Sequence, residues 1–254
     1  MKEGGKAGSS EQPIGQRFQE ETKYTPHNLS GHYLDWEQIP ERYKNYPEPI
    51  GIWELPEPHF NESADLWDTL RRRRSERNYY ADLFLPLDVL SDLLWATQGI
   101  TAGTSSYQLR TAPSAGGLYP VETYLLVKAV ENLDQGFYHF RPHAFDLEFI
   151  RAGDYGHALA DAALGQQMVE DAQVVFLWTA VVERSRWKYR QRAYRYLYLD
   201  AGHIAQNLYL AGTALDLGVC GIGAFFDDRI NALLGIDGTE ETILYMASVG
   251  CPAN

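Results

Sequence analysis

Apolar positions recur along this chain with two periods, and each period predicts a kind of element. Between Pro86 and Gln98, residues Leu90, Leu93 and Leu94, with Thr97 one turn on, share one face of a helix that opens at a proline and stops at Gly99. Leu197, Ala201, Ile204, Leu208, Ala211 and Leu215 recur at steps of three and four, and the stretch ends at Gly218. That spacing predicts one helix of about 25 residues, nearly 40 Å long at about 1.5 Å per residue. Such a stripe suits either a helix buried in its own subunit or the seam of a dimer, and the pattern leaves both open.

Strand patterns fill the rest. Val121–Val130 is β-branched and aromatic, and Gly136–Arg141 with Phe145–Ile150 reads as a hairpin around a proline-containing turn. Val174–Val182 is almost wholly apolar, as a buried strand would be. A short helix (Asp228–Leu234) and a final strand (Ile243–Val249) close the chain. The sum is an α+β fold, a mostly antiparallel sheet flanked by helices.

Three zones follow. Residues 1–17 are polar and rich in Gly and Ser, and read as a disordered tail. Residues 18–60 are aromatic and Pro-rich without sustained periodicity, so they are expected to wrap an existing surface. Residues 61–254 hold the patterned domain.

The net charge of −12 argues against nucleic acid and anionic lipid as partners. No apolar run is long enough to span a membrane, and no signal-peptide core is present. Cys220 and Cys251, the two cysteines, have no metal-ligand spacing. No metal is expected, and a cytoplasmic location is.

Four segments could carry chemistry. Arg71, Arg72, Arg73, Arg74 and Arg77 surround Ser75, and such crowded guanidinium groups suit a phosphate, or else a solvated helix end paired with Asp65, Asp68 and Glu76. The loop Thr111–Pro120 holds Ser114, Ala115, Gly116 and Gly117, whose small side chains let backbone amides approach a ligand. It precedes a strand, the wrong order for a dinucleotide fingerprint. Gly218–Asp228 reads as a glycine-rich turn in which Gly221 and Gly223 permit positive φ and let amides face a flat ring, or else as the cap of the long helix at Gly218 followed by entry to a strand. Lys188 and Tyr189 form a pair of proton-active groups, able to act as base and acid if their pKa values are depressed, or else part of a basic solvated loop. His139 and His203 sit in apolar patterns and read as buried supporting groups.

Together these segments resemble the SagB/ThcOx-type dehydrogenases of the nitroreductase superfamily. The likeness is carried by Arg73-Arg74-Ser75-Glu76-Arg77, Leu93–Gly99, Arg110–Pro120, Gly136-Phe137-Tyr138-His139, Lys188-Tyr189, Ala201-Gly202-His203 and Gly221–Phe225, in that order. It implies a homodimer with a long central dimer helix, and FMN bound at an interface built from both chains. By the same likeness Arg73, Ser75 and Arg77 hold the FMN phosphate and ribityl chain. Ser114, Ala115 and Gly116 then line the flavin, and the backbone of Gly221, Ile222 and Gly223 faces its ring. Lys188 and Tyr189 become the acid/base pair in oxidising a thiazoline or oxazoline of a modified peptide to an azole, with hydride passing to flavin N5. A cyclodehydratase and an azoline-containing peptide are the implied partners. The sequence departs from the family at Arg190, where Gly is common after Lys-Tyr, and at Asp200, where Glu is common before Ala-Gly-His. Two rival readings are an NAD(P)H-dependent nitro- or quinone reductase and a non-catalytic flavin-binding subunit of a peptide-modification complex.

Overall fold

Val174, Phe176, Trp178 and Ala180 enter one apolar core, while Val175 and Leu177 enter another. A strand buried on both faces needs no polar alternation, which is why this segment reads as an unbroken apolar run. The computed structural model of the chain describes residues 12–28, 33–60, 64–104 and 107–253. Its helices are α1 (Ile14–Glu21), α2 (Leu66–Arg72), α3 (Leu87–Gln98), α4 (Gly156–Ala162), α5 (Gln167–Asp171), α6 (Val182–Tyr189), α7 (Ala193–Ala214) and α8 (Asp227–Leu234). Its strands are β1 (Gly51–Glu54), β2 (Ile100–Gly103), β3 (Gln108–Arg110), β4 (Val121–Val127), β5 (Gly136–Arg141), β6 (Asp146–Ala152), β7 (Val174–Val181), β8 (Gly218–Ile222) and β9 (Glu241–Gly250).

Seven strands form one sheet in the order β1-β6-β5-β4-β7-β9-β8, with every pairing antiparallel. Leu90 and Leu94 of α3 and Leu197 and Leu208 of α7 cover one face; Leu159 of α4, Val169 of α5 and Ile230 of α8 cover the other. This is the expected α+β architecture. The stripe on α7 is buried inside its own chain at Leu197, Ala201, Ile204 and Leu208. The seam visible in the sequence is therefore a core seam, and any dimer contact of α7 falls on its other side, where Tyr198 and Leu199 are exposed.

Several boundaries differ from expectation. β4 stops at Val127 because the next two amides, of Lys128 and Ala129, both donate to the Gln173 carbonyl at 3.0 Å. The long helix ends at Ala214, and Asp216 (φ 55°), not Gly218, takes the left-handed turn. Gly218 instead begins β8, so of the two readings of this segment the strand entry holds and Gly218–Ile222 is not a turn. Its glycine is needed for space: a β-carbon there would sit 2.8 Å from the Tyr79 ring and 2.9 Å from Glu76 Cγ.

Residues 1–11 of the expected tail lie outside the described residues, and Ile14–Arg17 belong to α1, a correction to the disordered reading. The end of α1 is tied to α7: Arg195 donates to Thr22 Oγ1 and to the Gln19 carbonyl, both at 2.7 Å. Further on, β1 adds an edge strand beside β6. Prolines at 47, 49 and 56 flank it, where a missing N–H costs an edge strand nothing. Between these elements the chain lies over a buried charged cluster. His139 contacts Glu148 at 2.8 Å and Glu122 at 3.0 Å through its two ring nitrogens, and Glu122 also pairs with Arg184. Arg184 donates to the Glu41 carbonyl at 2.7 Å, and the Tyr46 amide donates to Glu148 at 3.0 Å. His139 thus is the buried supporting group expected, whereas His203 is exposed on α7.

Candidate functional site

Only part of the arginine cluster is an ordinary helix end. Asp65 caps α2 by accepting from the Asp68 amide at 2.8 Å, and Asp68 pairs with Arg71 and Arg72. Arg72 also pairs with Asp216 at 2.8 Å, and Arg74 donates to the carbonyls of Arg71 and Arg73. Arg73 and Arg77 are different. Among the described residues neither guanidinium group has a carboxylate partner; Arg73 lies 5.2 Å from the centre of the Tyr209 ring, and the Arg77 side chain approaches the Ser75 carbonyl at 3.4 Å. Two guanidinium groups left without counter-ions beside an exposed serine make a basis for anion binding.

Ser75 is drawn to the sheet edge through a bridge to Val219 of β8, where the Glu76 amide donates to the Val219 carbonyl at 3.0 Å. Its hydroxyl lies 3.0 Å from that of Tyr209 on α7, and the Gly221 amide donates to the same Tyr209 oxygen at 2.6 Å. The tertiary structure thus gathers Arg73, Ser75, Arg77 and Gly221, which the sequence separates by more than 140 positions. Neither Gly221 nor Gly223 has positive φ, which corrects the expected reason for these glycines. At Gly221 the reason is close packing, since a β-carbon would overlap the Tyr245 hydroxyl. The Ile222 side chain is buried in the core, so only its backbone is available to a ligand.

The second group forms around Asp200, also on α7. Its buried carboxylate accepts from the Ser114 hydroxyl at 2.6 Å and the Ala115 amide at 3.2 Å. Burial pushes the Asp200 carboxyl up, with the bonds from Ser114 and Ala115 and the charge of His203 opposing it. The Ser114 oxygen in turn accepts from the Tyr119 amide at 2.9 Å, fixing the loop at both ends. Gly116 and Gly117 follow with φ of 67° and 66°, the left-handed region glycine tolerates best. A β-carbon on Gly116 would overlap the Tyr189 hydroxyl and lie 2.9 Å from Lys188 Nζ. The Lys-Tyr pair is therefore the end of helix α6, set against the small-residue loop, rather than part of a solvated loop. Burial, with Tyr196 and Asp200 nearby, pushes the Tyr189 phenol up, the reverse of the depression expected for a base. Arg190 caps α6 at φ 51° and ψ −134°, a backbone shape that glycine adopts with less strain.

Sequence reasoning missed Tyr209 and Tyr245 altogether and gave Asp200 no task. One signal for Tyr209 was available: a phenol on a mostly apolar helix needs a partner for its hydroxyl.

The family profile described as "Nitroreductase family" matches residues 70–251. A Methanocaldococcus jannaschii protein provisionally named a nitroreductase is 38% identical over 189 residues, covering 74% of this chain and 92% of the relative. The trifolitoxin-processing protein TfxB of Rhizobium leguminosarum is 32% identical over 143 residues, 52% of this chain and 38% of that protein. A solved structure from Anabaena variabilis, also provisionally named a nitroreductase, superposes with a TM-score of 0.78 at 30% identity, over 95% of this chain and 47% of that one. A Desulfovibrio desulfuricans structure solved with FMN shares the fold at TM-score 0.54 and 20% identity, over 75% of this chain and 88% of that one. The chain belongs to the nitroreductase family of oxidoreductases. Among the described residues no helix is long and apolar enough to cross a membrane.

Proposed function

We propose that the protein is an FMN-dependent dehydrogenase that oxidises thiazoline or oxazoline rings of a modified peptide to azoles. The observation that carries this reading is the contact of Lys188 and Tyr189 with Gly116, which sets two proton-active groups on the small-residue loop. The name of TfxB, a toxin-processing protein, supports a peptide-modifying role.

The residues present fit the cofactor. The guanidinium groups of Arg73 and Arg77, without carboxylate partners among the described residues, and the exposed Ser75 hydroxyl suit its phosphate, and the backbone at Gly221–Gly223 offers a surface with little side chain. When bound, FMN supplies the two-electron acceptor, taking a hydride at N5. Aromatisation removes one proton and one hydride from the ring, so the protein's part is to hold the substrate and receive the proton. The neutral amine form of Lys188 receives it, while Tyr189, kept protonated by its raised pKa, donates a hydrogen bond to the ring heteroatom.

The site takes two copies of the chain in this reading. Asp200 and Tyr209 are nine positions apart on α7, which places them on opposite helix faces and about 13 Å apart along the axis. The loop held by Asp200 therefore serves the cradle of a second protomer, and the exposed Tyr198 and Leu199 supply apolar contact between the two α7 helices. A cyclodehydratase would provide the azoline.

Purified protein loaded with FMN and given a thiazoline peptide should yield a product lighter by two hydrogens, detected by mass spectrometry. Lys188→Ala and Tyr189→Phe should lower turnover by at least ~100-fold with FMN still bound. Product formation by the assembled modification complex that neither substitution changes would favour the non-catalytic flavin-binding subunit. The Methanocaldococcus relative favours a second reading, an NAD(P)H-dependent nitro- or quinone reductase. Steady NAD(P)H oxidation with a nitroaromatic or quinone, and no azole from the peptide, would select it.

A further inference from the structure

Tyr209 has one proton, and the hydrogen bonds around it constrain where that proton points. The Gly221 amide can only donate, so at 2.6 Å the Tyr209 oxygen is an acceptor on that side. The phenol proton then has two neighbours, the Ser75 hydroxyl oxygen at 3.0 Å and the Cys220 thiol. A hydroxyl oxygen is a much better acceptor than sulfur. With Tyr209 donating to it, Ser75 keeps its own proton, and its side chain is exposed. The chain of donors runs one way, from the sheet-edge amide through the phenol to an exposed serine that keeps its own proton, with the Cys220 sulfur beside it as the weaker acceptor. Arg73, over the Tyr209 ring, and Arg77, on the Ser75 carbonyl, flank that donor with positive charge.

We infer that Tyr209 is a positioning residue which orients the Ser75 hydroxyl as a donor to an anion and ties it to the Gly221 backbone, so that the phosphate-binding and ring-facing halves of the cradle form together. The inference rests on the FMN reading above. It assigns a task to a side chain whose hydroxyl is held from both sides, so that it positions the site without needing to touch the ligand. Consecutive hydrogen bonds polarise one another, so the arrangement also strengthens the last donor, the one offered to the anion.

FMN binding to the apoprotein, read from quenching of flavin fluorescence, tests this without any turnover. Tyr209→Phe and Ser75→Ala should each raise the FMN Kd by about tenfold, the worth of one hydrogen bond to a charged group. The double variant should be no weaker than the weaker single variant, because both substitutions cut the same chain. Additive losses, or Tyr209→Phe binding like wild type, would overturn the inference while leaving the flavin reading intact. Wild type that fails to bind FMN at all removes the flavin reading and this inference with it. Should Tyr209→Phe fail to fold, replacement of Tyr209 by 3-fluorotyrosine decides. A more acidic phenol donates better and accepts worse, so FMN should bind at least as tightly as to wild type. Weaker binding would overturn the assigned direction.

Discussion

Asp200 holds Ser114 across 86 positions of sequence, its carboxylate oxygen 2.6 Å from the serine hydroxyl. A second oxygen of the same carboxylate takes the Ala115 amide, so one buried side chain satisfies two donors of the loop. Removing it leaves both donors without that acceptor in a half-buried place. Asp200→Ala is expected to cost about 1–3 kcal/mol in urea unfolding, with a larger loss of azole formation than of FMN affinity. Because its carboxyl is pushed up, the strain of its ionised form is absent below the ordinary carboxylate pKa and grows as pH rises through the raised value. Asp200→Asn should flatten that dependence, and equilibrium unfolding across acid pH measures it.

Gly116 leaves room for the Lys-Tyr pair. Gly116→Ala places a methyl group on the Tyr189 hydroxyl and a side chain at φ 67°. A cost of about 1–2 kcal/mol is expected from the backbone alone. Peptide turnover should fall at least tenfold, and by more than FMN affinity does. Comparable losses of both would detach the loop from the chemistry assigned to it.

Arg190 sits in a strained conformation directly after Tyr189. Relief of about 1–3 kcal/mol from Arg190→Gly is offset by roughly 0.5–1 kcal/mol of added freedom in the unfolded chain. The variant is expected to gain about 1 kcal/mol and to melt some 2–4 °C higher. A lower melting temperature would show that the arginine side chain contributes more than its backbone strain costs.

The cluster beneath the leading segment sets a pH window. Burial opposes the charge of Glu122, but the His139 hydrogen bond and the Arg184 charge overcome it and hold the carboxyl down to about 2. Burial likewise opposes a charged His139, and the Glu122 and Glu148 carboxylates outweigh it and push the imidazole up. Glu122 therefore contributes stability above the ordinary carboxylate pKa, and that contribution is lost as pH falls toward 2. His139 contributes below the ordinary imidazole pKa of about 6.5, and its share is lost as pH rises through the higher folded value. Melting temperature against pH should decline on both sides. His139→Phe leaves Glu122 and Glu148 facing each other and is expected to cost about 3–5 kcal/mol near neutrality. A flat profile on the alkaline side would mean that His139 is neutral in the fold.

Much of the scaffold was legible in the chain because it is periodic. Helix α3 and strands β5 and β7 lie within a residue or so of where apolar spacing predicts them, since burial of a repeated face decides them locally. Strand β8 was legible only as an alternative to a turn. Its Gly-Val-Cys-Gly-Ile sequence carries a turn's composition, and pairing with β9 makes it a strand. β1 was hidden for the same reason, a short edge whose only partner lies some 95 positions away.

The residue types around the site were likewise visible as crowded arginines, a small-residue loop and a Lys-Tyr pair. What the chain alone could not convey was which arginines keep their charge unspent, since that depends on where Asp68 and Asp216 come to lie. Nor could it convey that Tyr209 joins Ser75 to Gly221, or that Asp200 anchors the loop under Lys188 and Tyr189. Periodicity is a local property written in consecutive residues. A hydrogen bond between remote side chains exists only once the packing of sheet and helix has brought them within 3 Å or so.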